Sequence, residues 1–349
     1  MTTAPVVVVT GASAGLGRAI AVAFGRRGLR VALIARGSER LAGAAADVEE
    51  AGGTALVIPA DVADAAAVDA AADRVVATWG RIDVWVNNAM ATVFGPVSAM
   101  TADEIRRVTD VTYLGQVHGT LAALRHMRPR DAGTIVQVGS ALSYRSIPLQ
   151  SAYCAAKAAV RGFTDSLRSE LIHDGSRIRL TMVQVPAVNT PQFDWARSHL
   201  HRRLQPVPPI HDPETVAEAI VKAAGTAPRE LWIGSPTLQA ILGTLAAPGL
   251  LDRMLASRAW DGQMTNEAAD PRPGNLTAPP PGDPGAAGRF GSRSRPAVVA
   301  VSDTTARLGV LALAATVGIA GCALAWRAGR GAAAGGRRLV DRLPGLGDR

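Results

Sequence analysis

The sequence predicts an α/β protein on a doubly wound, Rossmann-like parallel sheet of about seven strands, and three observations carry that prediction. Short β-branched runs alternate with longer Ala-rich stretches from residue 5 to about 235. The runs are almost continuously apolar, as strands buried on both faces must be. Aromatics supply only 4% of 349 residues against 48% hydrophobic. A core of Ala, Val, Leu and Ile suits helices packed on a parallel sheet better than a β-sandwich.

In chain order the expected strands are Val6–Val9, Arg30–Ala35, Thr54–Pro59, Val84–Asn87, Thr134–Val138, Arg179–Val183 and Leu231–Ile233. Helical stretches lie between them at Gly17–Arg27, Ser38–Ala51, Ala65–Thr78, Thr101–Met127 and Ala152–Leu171. Such alternation implies right-handed crossovers. Residues 236–262 read as one further helical segment closing a domain over 1–262. Residues 263–300 read as a flexible linker, because between Asp270 and Pro296 the composition shifts to Pro, Gly and Ser. Leu308–Trp326 is 19 residues without a charge, bounded by Arg307 and Arg327 and ending in an interfacial-type Trp. That length suits a transmembrane helix within 301–327, followed by a basic tail over 328–349. The competing reading is a packed helix, which a linker ahead and a basic tail behind disfavour.

The formal charge of +8 is unevenly spread. Residues 266–349 hold 11 Arg and 6 acids. A basic chain invites a nucleic-acid reading. Here the surplus sits in a Pro/Gly-rich tail with no interleaved aromatics, so no nucleic-acid partner is expected. The chain has 35 Arg and only two Lys, Lys157 and Lys222, which singles out a Lys that falls inside a motif. Cys154 and Cys322 suggest neither a disulfide framework nor a metal site, so a reducing compartment is the default. His118, His126, His173, His199, His201 and His211 lack metal-ligand spacing, and no metal is expected. The start, Met1 to Pro5, has no basic n-region, and Val6–Val9 is too short for the core of a signal peptide.

The first strand runs into Thr10-Gly11-Ala12-Ser13-Ala14-Gly15-Leu16-Gly17 and then a helix. Gly11 suits a tight turn, Gly15 lets amides approach a pyrophosphate, and Gly17 permits close helix–strand contact. The helix N-terminus adds partial positive charge. The second strand ends at Arg36, where a carboxylate would be expected for the free ribose hydroxyls of NAD. Arg36, with Arg40 one turn later, instead suits the 2′-phosphate of NADP, with NAD the lesser alternative. The bland reading is a solvated Arg at a strand end.

The fifth strand leads into Ser140, and Tyr153 and Lys157 follow four residues apart on one helix face. A free phenol titrates near 10, too high for proton transfer at neutral pH. A neighbouring ammonium is expected to favour the phenolate. In isolation such a pair is usually just a helix surface; its place after a cofactor loop and a strand-end Ser makes it informative.

With these motifs in order, residues 5–235 resemble the short-chain dehydrogenase/reductases. The resemblance rests on the Thr10–Gly17 loop, Asp61-Val62, Asn87-Asn88-Ala89, Ser140, Tyr153, Lys157, and Pro186 with Thr190. It implies that Asp61 and Val62 contact the adenine and that Asn88 and Ala89 line the ribose side. It further implies that Lys157 binds the nicotinamide ribose and that Pro186–Thr190, with Val188 between them, lies against the carboxamide. Hydride transfer between nicotinamide and a carbonyl or alcohol carbon would follow, with Tyr153 moving the proton and Ser140 stabilising the oxygen. Three departures stand out: Met90 where the family has Gly, Thr112 where it has a relay Asn, and Ala187 where Pro-Gly is usual.

The resulting expectation is an NADP-dependent oxidoreductase with a small-molecule, lipophilic substrate. A single-pass membrane protein with a cytoplasmic catalytic domain is expected, and self-association into a homo-oligomer is open to it. Gln192–Pro213 is expected to cover the pocket as a lid. The rival is a membrane-anchored, cofactor-binding scaffold without turnover.

Overall fold

A computed structural model describes residues 4–312 of the chain. Eight strands form one sheet: β1 (Val6–Thr10), β2 (Arg30–Ala35), β3 (Thr54–Pro59), β4 (Val84–Asn87), β5 (Thr134–Val138), β6 (Arg179–Gln184), β7 (Glu230–Ile233) and β8 (Ala300–Ser302). Their spatial order is 3-2-1-4-5-6-7-8. All neighbours are parallel except β7 and β8. The order reverses between β1 and β4, so the chain leaves opposite faces there and opens a crevice at the strands' carboxyl ends.

Alternation along β1 shows how both faces are filled. Val6 and Val8 join one core cluster and Val7 and Val9 the other, as a two-residue period requires. Helices α1 (Gly15–Gly25) and α2 (Ser38–Glu50) cover the second face, and α3 (Ala65–Trp79) covers the first. The Asp64 carboxylate accepts the Ala66 and Ala67 N–H groups at 2.9 and 3.1 Å, starting α3, and Gly80 at φ +78° ends it.

The helix expected over Thr101–Met127 is interrupted. It resolves into α4 (Ala102–Thr109), a wide π-helical turn at Asp110–Leu114, and α5 (Gly115–Met127). The wide turn holds Thr112, whose hydroxyl is engaged by the backbone of Ala91. A single turn inside an α-helix is the usual form of a π-helix. After α6 (Ser151–His173) and α7 (Pro213–Thr226), residues 236–262 form two helices instead of one. They are α8 (Ser235–Ala246) and α9 (Pro248–Gly262), separated where Pro248 has no N–H to continue the ladder.

The largest departure concerns residues 263–300. The expected flexible linker is folded onto the domain, and the compact unit runs to residue 302. Met264–Ala268 pairs antiparallel with Arg202–Leu204, Ser294–Arg295 pairs with Ile210–His211, and β8 extends the main sheet through Trp232↔Val301. Pro and Gly prevent regular structure between these strands, but they leave main-chain carbonyls that arginines elsewhere can satisfy.

A second unit begins at Asp303, and residues 303–312 are helical. Beyond residue 312 the expected span Leu308–Trp326 lies outside the described residues, as does the basic tail. Among the described residues no helix is long and apolar enough to cross a membrane.

Candidate active site

At the end of β1 the chain turns through Gly11 at φ +68° and Gly15 at φ +58°, conformations that favour glycine. A Cβ on Gly17 would lie 2.1 Å from the Gly11 carbonyl oxygen, so α1 packs on the loop as closely as the sequence requires. Thr10 acts behind the loop. Its hydroxyl accepts the N–H groups of Asn88 and Ala89 at 3.0 and 3.1 Å. The Asn88 amide in turn donates to the Thr10 carbonyl at 3.0 Å. Two strand ends are thereby stapled across the crevice.

A cleft of about 460 Å³ runs from this loop to the strand-end serine. Its walls include Gly11, Ser13, Gly15, Leu16 and Gly17 from the loop, and Arg36 and Arg40 beyond β2. Asp61, Val62, Asn88 and Ala89 follow, then Ser140, Tyr153 and Lys157, and finally Pro186, Val188 and Thr190. Met90 reaches the wall as its position implied. Two sequence-selected residues do not: Thr10, for the reason above, and Thr112. The Thr112 hydroxyl accepts from the Ala91 N–H and donates to the Ala91 carbonyl, both at 2.9 Å, and the residue is fully buried. Thr112 therefore shapes the Asn88–Ala91 turn, and its hydroxyl is engaged there and not at the cleft wall.

At one end of the cleft, Ser140, Tyr153 and Lys157 converge. Ser140 follows β5, and its N–H donates to Gln184 Oε1 at 2.9 Å. The Gln184 amide donates to the buried Glu230 carboxylate at 3.3 Å, which also accepts from Trp232 Nε1 at 3.0 Å. This backing through β6 and β7 fixes Ser140, and sequence reasoning missed it. The Ser140 side chain stands close enough to the Tyr153 hydroxyl to favour its ionised form. Burial pushes the Tyr153 phenol well above its usual 10, and Ser140 offsets this only in part. Burial also pulls the Lys157 amine down to about 7. Its Nζ donates to the Val138 carbonyl at 2.7 Å, beside Gln116 Nε2 at 3.1 Å from the same oxygen. The expected lowering of the phenol by a neighbouring ammonium is thus not present in the protein alone. Two groups desolvated together both drift to their neutral forms.

At the other end lie two guanidiniums. Among the described residues neither Arg36 nor Arg40 forms an ion pair with a carboxylate; both donate to main-chain carbonyls. Burial lowers the pKa of each. Asp61 is held between the Ala63 N–H at 3.0 Å and Arg107. Guanidiniums without a carboxylate ion pair at this end and positive-φ glycines at a helix N-terminus could hold the phosphates of a dinucleotide. No group of three or more His, Cys, Asp and Glu side chains among the described residues could hold a metal.

Beyond the serine the cleft has apolar walls. Leu142, Ile147, Phe193, Val207 and Leu255 line it. Phe193 and Val207 come from the expected lid, and Leu255 from α9, a helix whose role the sequence did not disclose. Glu104 in α4 ties that lid down, accepting from His199 at 2.9 Å and from Arg197.

Residues 5–200 match the sequence model of the short chain dehydrogenase family. The uncharacterized oxidoreductase YxnA of Bacillus subtilis is 35% identical over 272 residues, covering 76% of each chain. Dehydrogenase/reductase SDR family member 7B of Mus musculus is 32% identical over 73% of this chain and 81% of its own. Among solved structures, a short-chain dehydrogenase from Streptomyces avermitilis superposes with TM-score 0.63 at 30% identity, over 75% of this chain and all of that one. An alcohol dehydrogenase from Thermococcus sibiricus, complexed with 5-hydroxy-NADP, superposes with TM-score 0.54 at 27% identity, over 65% of this chain and 95% of that one.

Proposed function

Since this chain belongs to the short chain dehydrogenase family of oxidoreductases, we propose that it moves a hydride between NADP(H) and the carbonyl or secondary-alcohol carbon of an apolar substrate. The convergence of Ser140, Tyr153 and Lys157 in one cleft with the glycine loop carries this reading. The bound nicotinamide supplies or accepts the hydride. Ser140 hydrogen-bonds the substrate oxygen, and Tyr153 gives that oxygen a proton in reduction and takes it back in oxidation. Burial keeps Tyr153 protonated at neutral pH, the form a donor needs. Lys157 takes up charge near neutrality, and its ammonium then favours the phenolate left behind.

The preference for NADP is supported by the Arg36 and Arg40 guanidiniums, which lack a carboxylate partner among the described residues, and by the 5-hydroxy-NADP bound to the Thermococcus sibiricus relative. The apolar walls support a lipophilic substrate. Fluorescence titration with NADPH and NADH, followed by a panel of lipid, steroid and quinone carbonyls, tests the reading. NADPH should bind more tightly and be oxidised by at least one apolar carbonyl. Binding without turnover across the panel would favour a scaffold. Replacing Tyr153→Phe should abolish turnover while sparing cofactor affinity, and equal activity would refute its role.

The same reading includes a membrane tether at Leu308–Trp326 with the catalytic domain cytoplasmic, supported by 19 uncharged residues between arginines. Removing residues 303–349, which begins after β8, should shift the protein from pellet to supernatant; unchanged pelleting would refute the tether. Self-association is also part of it, with exposed Leu121 on α5 and Ile172 on α6 as apolar surface. Sedimentation velocity on the residue 1–302 form should show an oligomer, and a monomer at micromolar concentration would refute that.

A further inference from the structure

The Pro/Gly-rich stretch after residue 270 runs across the guanidinium end of the cleft. Arg36 donates to the carbonyls of Asn275, Thr277 and Leu276 at 2.6, 3.0 and 3.3 Å. Arg40 donates to those of Gly282 and Pro281 at 2.7 and 2.8 Å, with its guanidinium over the Trp195 ring. Arg107 Nε reaches the Leu276 carbonyl at 3.0 Å. The N–H of Gly15, in the glycine loop itself, donates to the Gly285 carbonyl at 3.1 Å. The stretch is then pinned to the far wall: the Asn189 side chain accepts the Phe290 N–H at 3.0 Å, and the Asn189 carbonyl accepts the Gly288 N–H at 3.2 Å.

These bonds are chemically pointed. Proline has no N–H, so this stretch cannot pair as a strand and its carbonyls need donors from elsewhere. Carbonyls are neutral, so they orient the guanidiniums without cancelling their charge. Each guanidinium has five N–H groups, and the stretch engages three on Arg36 and two on Arg40. Arg36, Gly37 and Arg40 line the cleft there together with Pro279 and Pro280. Asn275, Pro279 and Pro280 of the stretch form part of the cleft wall at this end.

We infer that residues 275–288 are a clasp over the adenosine end of the cofactor cleft, and that Asp283 is its fastener. This rests on the cofactor reading above. Asp283 pairs with Arg18 on α1, whose Nε is held from the other side by Asp47 at 2.6 Å. The Asp283 carboxylate lies in a notch that only a glycine leaves open: a Cβ on Gly43 would fall 2.0 Å from its Oδ2. A bound dinucleotide leaves when the clasp lifts. Asp283 is a positioning residue, acting on the cofactor through the Pro281–Gly285 carbonyls.

Two variants separate this from general destabilisation. Asp283→Ala removes the fastener, and Gly43→Ala wedges it out while placing a better helix former within α2. Stopped-flow displacement of bound NADPH should show release at least tenfold faster in both. Hydrogen exchange should rise at residues 275–288 and hold constant in β1–β6. Unchanged release despite faster exchange would overturn the clasp, and tighter binding would show a segment that competes with cofactor. If NADH binds and is trapped while NADPH does not bind, the clasp stands and the 2′-phosphate assignment falls. If the wild type binds neither, the cofactor reading itself fails.

Discussion

Lys157 is 2% exposed, and among the described residues no carboxylate pairs with it. Its folded pKa of about 7 lies below the ordinary 10.5. Between those values the unfolded chain holds the extra proton, so stability rises with pH across that window. The cofactor-free protein should therefore gain up to about 1.4 kcal/mol per pH unit there. Urea denaturation from pH 7 to 10 should show the slope in wild type and lose it in Lys157→Met. Thr112 has a different kind of consequence. Thr112→Val keeps the shape but leaves the N–H and carbonyl of Ala91 without their partner, costing about 1–3 kcal/mol. Turnover per folded molecule should persist, because Ser140, Tyr153 and Lys157 are untouched; a loss of turnover at full folding would restore Thr112 to a catalytic role.

Helix α4 shows how one element serves both folding and site. Thr101 and Glu104 cap its start reciprocally, with Glu104 Oε2 accepting the Thr101 N–H at 3.0 Å and Thr101 Oγ1 accepting the Glu104 N–H at 3.2 Å. The Glu104 carboxylate also holds Arg197 and His199 in the lid. Burial opposes its charge, but the Thr101 N–H, His199 and Arg197 together bring its pKa down to about 2. A depressed carboxylate stabilises above its unfolded value and loses that contribution as pH falls from about 4.5 towards 2. Glu104→Gln should cost about 3 kcal/mol at pH 7, with the difference from wild type closing below pH 4. Proteolysis of residues 197–210 should quicken in the variant; unchanged lid protection would detach α4 from the lid. Thr-x-x-Glu ahead of a helix is legible as a cap, yet its reach to residues 197–199 is not.

For the whole molecule, the domain closes forty residues later than the Pro/Gly composition implies. Residues 263–302 supply β8 and the carbonyls facing Arg36, Arg40 and Arg107. Truncation after residue 302 should leave the Tm within a few degrees, whereas truncation after 262 exposes the β7 edge and strands three guanidinium partners. Loss of several kcal/mol in a domain of this size lowers Tm by roughly 10 °C or more. Equal Tm values by differential scanning calorimetry would return residues 263–302 to the status of a linker.

The seven parallel strands, the glycine turn and the Tyr153–Lys157 pair were all legible because each depends on spacing within one element. Apolar continuity marks a strand buried on both faces, and four residues of helix bring two side chains to one face. The path of residues 263–302, the engagement of Thr112 by Ala91, and the backing of Ser140 by Gln184 and Glu230 were decided only in three dimensions. Arg36 meets its Asn275 acceptor across 239 residues. Every residue carries a main-chain carbonyl, so a carbonyl acceptor leaves no mark in the sequence, and only the folded path determines which one an arginine finds.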